Sequence, residues 1–173
     1  VVHRLDAAGK ALAVIGAKDP ERNVPGFKVP SPYFCARVAE DGLLRVTNPG
    51  VHQVEVYTVD GDFELGWGKT SFGVEGFCGC CNPVSIALFP DGSYVTGEKG
   101  LPRVKLYDPQ GGFAGVVSGP EDFPEYLDVV NAGARSATGA GIYVAIDPGG
   151  RIVVLDGMGG TVRVMAMKEV NDD

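Results

Sequence analysis

Three stretches of this chain repeat one another without gaps, and a short repeated strand–turn–strand pattern folds by stacking copies of one small unit. The stretches are Gly42-Leu43-Leu44-Arg45-Val46 leading to Val54-Glu55-Val56-Tyr57, Gly92-Ser93-Tyr94-Val95-Thr96 leading to Val104-Lys105-Leu106-Tyr107, and Gly150-Arg151-Ile152-Val153-Val154 leading to Val162-Arg163-Val164-Met165. In each, fifteen residues separate the turn glycine from the last apolar position. Turn dipeptides bracket the strands. Asp41-Gly42, Asp91-Gly92 and Pro148-Gly149-Gly150 precede the second strand of each unit, and Asp60-Gly61 and Gly111-Gly112 follow the third. Glycine there supplies the positive φ of tight hairpins. Phe63 and Phe113 then open a fourth strand, while Leu5 and Gly9 repeat the spacing of Tyr57 and Gly61. The 26 glycines and 12 prolines among 173 residues agree with an all-β chain rich in turns.

The inner, first strands are predicted at Phe34 to Ala39, Val84 to Phe89 and Ile142 to Ile146. Each full unit thus reads as four short antiparallel strands in about 45 to 55 residues, the size of one propeller blade. The succession of a proline, an inner strand, Asp-Gly, a Val-rich strand and then Arg103-Val104-Lys105-Leu106-Tyr107 resembles the NHL-repeat β-propeller family. The resemblance covers most of the chain and is best over residues 82–119. It implies a propeller of four-stranded antiparallel blades, with residues 1–16 ending one blade, 32–68 and 82–119 forming two more, and 137–169 forming an incomplete last blade. The thirteen strands make about three and a quarter blades, fewer than the roughly four to eight of a closed ring. The expectation is therefore an N-terminally truncated piece of a larger, six-bladed propeller, or a piece closed by partner copies. Lys168 to Asp173 reads as a natural polar end. The insertion Gly119 to Thr138 reads as an irregular surface loop, with a short helix or a lid as the other options.

Formal charge is −7, which argues against nucleic acid, because phosphate binding needs a concentrated excess of Lys and Arg. The apolar runs, such as Ile152 to Leu155, are far too short to span a bilayer as a helix. The chain begins at Val1 without an initiator Met, so a missing leader decides nothing about compartment. The exported bacterial propellers that it resembles imply an extracytoplasmic site, periplasmic or secreted.

Three of the four cysteines crowd into Cys78-Gly79-Cys80-Cys81, between two repeat units; the fourth is Cys35. Free cysteines usually occur singly as small buried hydrophobes, whereas clustered thiolates suit zinc, copper(I) and iron–sulfur centres. In a propeller the start of the first strand, the second-to-third loop and the end of the fourth strand share one face. Cys35 occupies, fifty residues earlier, the place of Ser85, so all four sulfurs are expected to converge beside the central channel. Three readings stand: metal or iron–sulfur ligation, a disulfide, or unligated and redox-active thiols. Cys-x-Cys-Cys matches none of the zinc-ribbon or ferredoxin spacings. Two disulfides are awkward, because Cys80 and Cys81 would point to opposite sides of a local strand; a single bridge from Cys35 to Cys78 or Cys81 needs an exported protein.

The same face carries Glu98, Lys99 and Arg103, where Lys99 or Arg103 would offset thiolate charge or hold an anionic ligand. The plainer reading pairs Arg103 with Glu98 or lets it cap carbonyls. Asn48, Glu98 and Asp156 recur at one repeat position and read as turn-stabilising residues. Trp67, Phe72 and Phe77 either line a pocket or pack between blades. The amidating-lyase branch of NHL-like propellers uses a His-bound zinc, but only His3 and His52 are present. Neither a Gly-x-Ser-x-Gly elbow nor a phosphate loop occurs.

Together these point to a non-hydrolytic NHL-type binding scaffold with an iron–sulfur cluster or zinc held by Cys35, Cys78, Cys80 and Cys81, in electron transfer or as a metal-stabilised platform, with a protein or redox partner. One rival is an interaction module for proteins or glycans with a structural disulfide. Another is a lyase-like or lactonase-like enzyme using the central channel.

Overall fold

The computed structural model describes residues 1–126 and 141–166. It is all-β, and its described strands form four antiparallel sheets. The first sheet pairs β1 (Val2–Leu5) with β2 (Ala11–Ile15). The second runs β3 (Ala36–Val38), β4 (Leu44–Asn48), β5 (Gln53–Tyr57), β6 (Phe63–Trp67), each strand beside the next. The third repeats this order with β7 (Ser85–Leu88), β8 (Tyr94–Gly97), β9 (Val104–Tyr107) and β10 (Phe113–Ser118). The fourth holds β11 (Ile142–Ile146), β12 (Ile152–Asp156) and β13 (Thr161–Met165). None of these sheets closes on itself.

The repeat sets the hairpins through its aspartates. Asp41 Oδ1 accepts the Leu43 N–H, Asp91 Oδ1 the Ser93 N–H, and Asp147 Oδ1 the N–H groups of Gly149 and Arg151. Each side chain thereby adds to the backbone bonds of its turn, in which Gly42, Gly92 and Gly150 donate to the carbonyls of Ala39, Phe89 and Asp147 and have positive φ.

Alternation then buries one row from each sheet against the next. Ile15 and Val24 pack on Leu44, Val46 and Tyr57. Val54, Trp67 and Phe77 pack on Ile86, Tyr94 and Tyr107. Val95 and Val104 pack on Ile142, Val144 and Val154. Core therefore lies between successive sheets, and the first strands draw together: β3 touches β7, and β7 touches β11. Gly97 shows how close this approach is, since a Cβ there would lie 2.1 Å from the Ile142 carbonyl oxygen. Ser85 ties the same two sheets, its Oγ donating to the Ile142 carbonyl at 2.9 Å and accepting the Val144 N–H at 3.2 Å.

The described part of the insertion departs from the expected surface loop. A 3-10 turn at Pro120–Asp122 leads into Phe123 and Tyr126, both fully buried in the core of the third and fourth sheets. The two rings bring large apolar area into the core, and their burial offsets part of the cost of ordering the turn. The remainder of the insertion and Lys168 to Asp173 lie outside the described residues. The end sheets keep apolar faces in solvent. Leu5, Leu12 and Val14 are exposed on the first sheet, and Tyr143, Leu155, Val162 and Val164 on the fourth.

Candidate functional site

The segment between β6 and β7 carries the cysteine cluster and is held from behind by charge. Glu98, at the end of β8, is fully buried and meets two cations from β9 and its approach. Arg103 reaches it through Nε at 3.1 Å and Nη2 at 2.7 Å, and Lys105 Nζ reaches it at 2.8 Å. Both cations also grip the loop. Lys105, itself fully buried, donates to the carbonyls of Val74 at 3.0 Å and Gly76 at 2.7 Å and lies over the Phe77 and Tyr107 rings. Arg103 Nη2 donates to the Gly76 carbonyl at 3.3 Å and to Cys78 Sγ at 3.4 Å. Burial works against charge on both. It holds the Lys105 ammonium below its ordinary range, whereas hydrogen bonding to Glu98 overcomes it at Arg103, whose guanidinium is raised.

Other side chains complete the anchoring. Asn82 donates to the Cys78 carbonyl at 2.6 Å and to the Lys99 carbonyl at 3.0 Å, and accepts the Lys99 N–H at 2.9 Å. His52, at φ 60°, lies 2.6 Å through Nε2 from the Gly79 carbonyl and 3.0 Å through Nδ1 from Thr70 Oγ1. A carbonyl only accepts, so Nε2 carries a proton and donates to it. Both ring nitrogens are thus engaged. His3 sits on β1 of the first sheet, exposed.

The four cysteines separate by environment. Cys35 is buried in the core between the second and third sheets, its Sγ 3.6 Å from the Ile86 carbonyl. It links one sheet to the next, as Ser85 does fifty residues later. Cys78 is buried against Arg103. Cys80 is exposed, and its Sγ lies 2.8 Å from that of buried Cys81. Among the described residues no three Cys, His, Asp or Glu side chains are grouped to hold a metal ion. The expected convergence of all four sulfurs is therefore not the arrangement seen: Cys35 is drawn into the intersheet core, and Arg103 holds Cys78 on the inner side of the loop. The expectation that Cys80 and Cys81 point apart also fails. Gly79 and Cys81 have left-handed φ of 73° and 68°, so the segment curls instead of alternating like a strand.

Lys99 stands beside the pair. Its Nζ lies 4.5 Å from the centroid of the Tyr33 ring, and its charge favours the Cys80 thiolate. The hydrogen bond to Cys81 and then desolvation outweigh it, so the Cys80 thiol is raised above its ordinary range. Of the aromatics considered, Trp67 and Phe77 are core, whereas Phe72 is 93% exposed at the loop's outer bend. Asp156 braces its own turn through the N–H groups of Met158 and Gly159, while Asn48 accepts the Lys28 N–H and binds Glu55. Sequence reading missed Lys105 and His52 as loop anchors, although Lys105 alternates with core residues Val104 and Leu106 on a strand, a position where a lysine needs a partner.

At the other end of the same first strands, a groove of about 660 Å³ is lined by Arg37, Asp41, Phe89, Pro90, Ile146 and Pro148. It carries no cysteine. No family model matches the chain, and no curated protein is significantly similar to it.

Proposed function

We propose that the chain is part of an NHL-type β-propeller that acts as a binding scaffold, with the Cys80–Cys81 pair, exposed at Cys80, as the working group of its loop face and a protein or redox partner as its ligand. The observation that carries this is the anchoring. Six side chains (His52, Asn82, Arg103, Lys105, Glu98 and Tyr107) hold the segment or its anchors, all but His52 from the buried side or partly so, yet Cys80 is left outside beside Lys99. A loop needed only for connection would not draw buried charges to it, because each buried cation costs several kcal/mol unless well paired. The propeller reading is supported by successive sheets whose first strands adjoin and by the two uncovered end faces, which further blades or partner copies would cover. A metal, iron–sulfur or zinc, would take Cys80 and Cys81 as thiolate ligands and need the rest from the partner or the further blades. Cys35 and Cys78 favour the plainer interaction-module reading for themselves, since both sulfurs are occupied inside the fold.

The test is an anaerobic absorption spectrum with elemental analysis and thiol counting on the folded protein. Metal-free protein in which Cys80 alone of the four thiols is alkylated in the folded state supports the scaffold. A brown sample with iron and sulfide would make electron transfer by a cluster the function; zinc retained by Cys35 and Cys78 would overturn this division of roles among the cysteines.

A further inference from the structure

We propose that Cys80 and Cys81 form a redox couple that closes to a disulfide between neighbouring residues on exchange with an oxidised dithiol protein or a small disulfide, and reopens on reduction. The inference rests on the reading of this pair as the working group of the loop face. Neighbouring cysteines seldom bridge, because their Cα atoms are about 3.8 Å apart across a trans peptide, short of the usual disulfide separation of roughly 4.4 to 6.8 Å, and because an extended chain points them to opposite sides. This loop removes the second obstacle. Left-handed φ at Gly79 and Cys81 turns both sulfurs to one side, where they lie 2.8 Å apart, against about 2.05 Å for a bonded pair. A left-handed cysteine is uncommon and costs roughly 1–2 kcal/mol. The bonds from His52 to the Gly79 carbonyl and from Asn82 to the Cys78 carbonyl hold the chain on either side of the bend.

The two sulfurs also differ in the way that exchange requires. Cys80 is exposed and meets the incoming disulfide; Cys81 is buried behind it and resolves the intermediate. The Cys80 thiolate attacks one sulfur of R–S–S–R, the S–S bond breaks, and RS⁻ leaves. Cys81, as thiolate, then attacks Cys80 Sγ and expels the second RS⁻. The two protons given up by the cysteines end on the two leaving thiolates, so the pair loses two electrons and R–S–S–R gains them as two RSH. An exposed bridge within so small a ring belongs to the readily reduced kind, which suits a switch better than a permanent staple. Cys35 and Cys78 take no part, since their sulfurs bond the Ile86 carbonyl and Arg103.

The experiment treats the reduced full chain with oxidised glutathione, blocks remaining thiols with iodoacetamide without reduction, and maps the digest by mass. Wild type is expected to lose two hydrogen masses, keep no glutathione, and carry the bridge within a peptide that contains Cys80 and Cys81, with Cys35 and Cys78 alkylated after unfolding. Cys81→Ser, checked for folding by circular dichroism, is expected to stop at a glutathione adduct on Cys80, and Cys80→Ser to form neither. A persistent adduct in wild type, or a bridge that uses Cys78 or Cys35, overturns the proposal. Failure of the scaffold reading shows differently, as metal bound by Cys35 and Cys78 in the reduced protein.

Discussion

Lys105→Met removes one buried charge at nearly constant side-chain length and leaves its partners in place. Methionine keeps the apolar stem between Phe77 and Tyr107 but cannot donate to the carbonyls of Val74 and Gly76 or neutralise Glu98. Breaking a buried pair from one side typically costs about 3–5 kcal/mol. Glu98 retains the forked contact from Arg103 at 2.7 and 3.1 Å, which places this variant at the lower end, about 3 kcal/mol. For a chain of this size that corresponds to a fall in Tm of roughly 6 to 12 °C. Urea unfolding followed by circular dichroism measures it, with the midpoint moving and the slope unchanged. A second readout is local. The Gly76 carbonyl loses its 2.7 Å donor while Cys78, two residues on, depends on the same anchoring, so Cys78 should alkylate faster in the folded variant. A loss below about 1 kcal/mol, the range of an exposed ion pair, together with unchanged protection of Cys78, would refute the argument that this cluster holds the loop.

Ser85→Ala should cost about 1–3 kcal/mol, because the Val144 N–H is left without its acceptor between two sheets; a change within experimental error in urea unfolding would contradict that bridging role. Cys35→Ser preserves a donor to the Ile86 carbonyl and is expected to leave metal content and the redox behaviour of Cys80 unchanged, so loss of either would place Cys35 in the site after all. Arg45 holds the Asp41 carboxyl below its usual range, and backbone N–H groups do the same at Asp91 and Asp147. Groups with depressed folded values contribute stability that is fully present above the unfolded value, about 3.9, and is lost as pH falls through the folded value. Stability should therefore decline below about pH 4, and a urea midpoint that stays constant from pH 5 to pH 3 would count against the turn network.

Much of the architecture was legible in the sequence because it is local. A glycine at each hairpin, an aspartate before it and alternating apolar residues after it specify where strands begin, turn and pair, and Ile142–Ile146 lies where the pattern places it. Repetition multiplied that signal, so strand order within the second, third and fourth sheets followed from one unit. The candidate site was legible only as a concentration of thiols. Which cysteines meet depends on contacts between residues far apart in the chain: Cys35 with Ile86, Arg103 with Cys78, Lys105 with Gly76. A spacing rule treats the four sulfurs as equivalent, whereas packing between sheets takes two inside and a left-handed turn at Cys81 brings the other two together. The sequence by itself determined the repeated sheets, because hairpin geometry is decided within a few residues. The tertiary structure alone decided the chemistry of the loop, because burial and charge pairing are set by what the fold brings alongside.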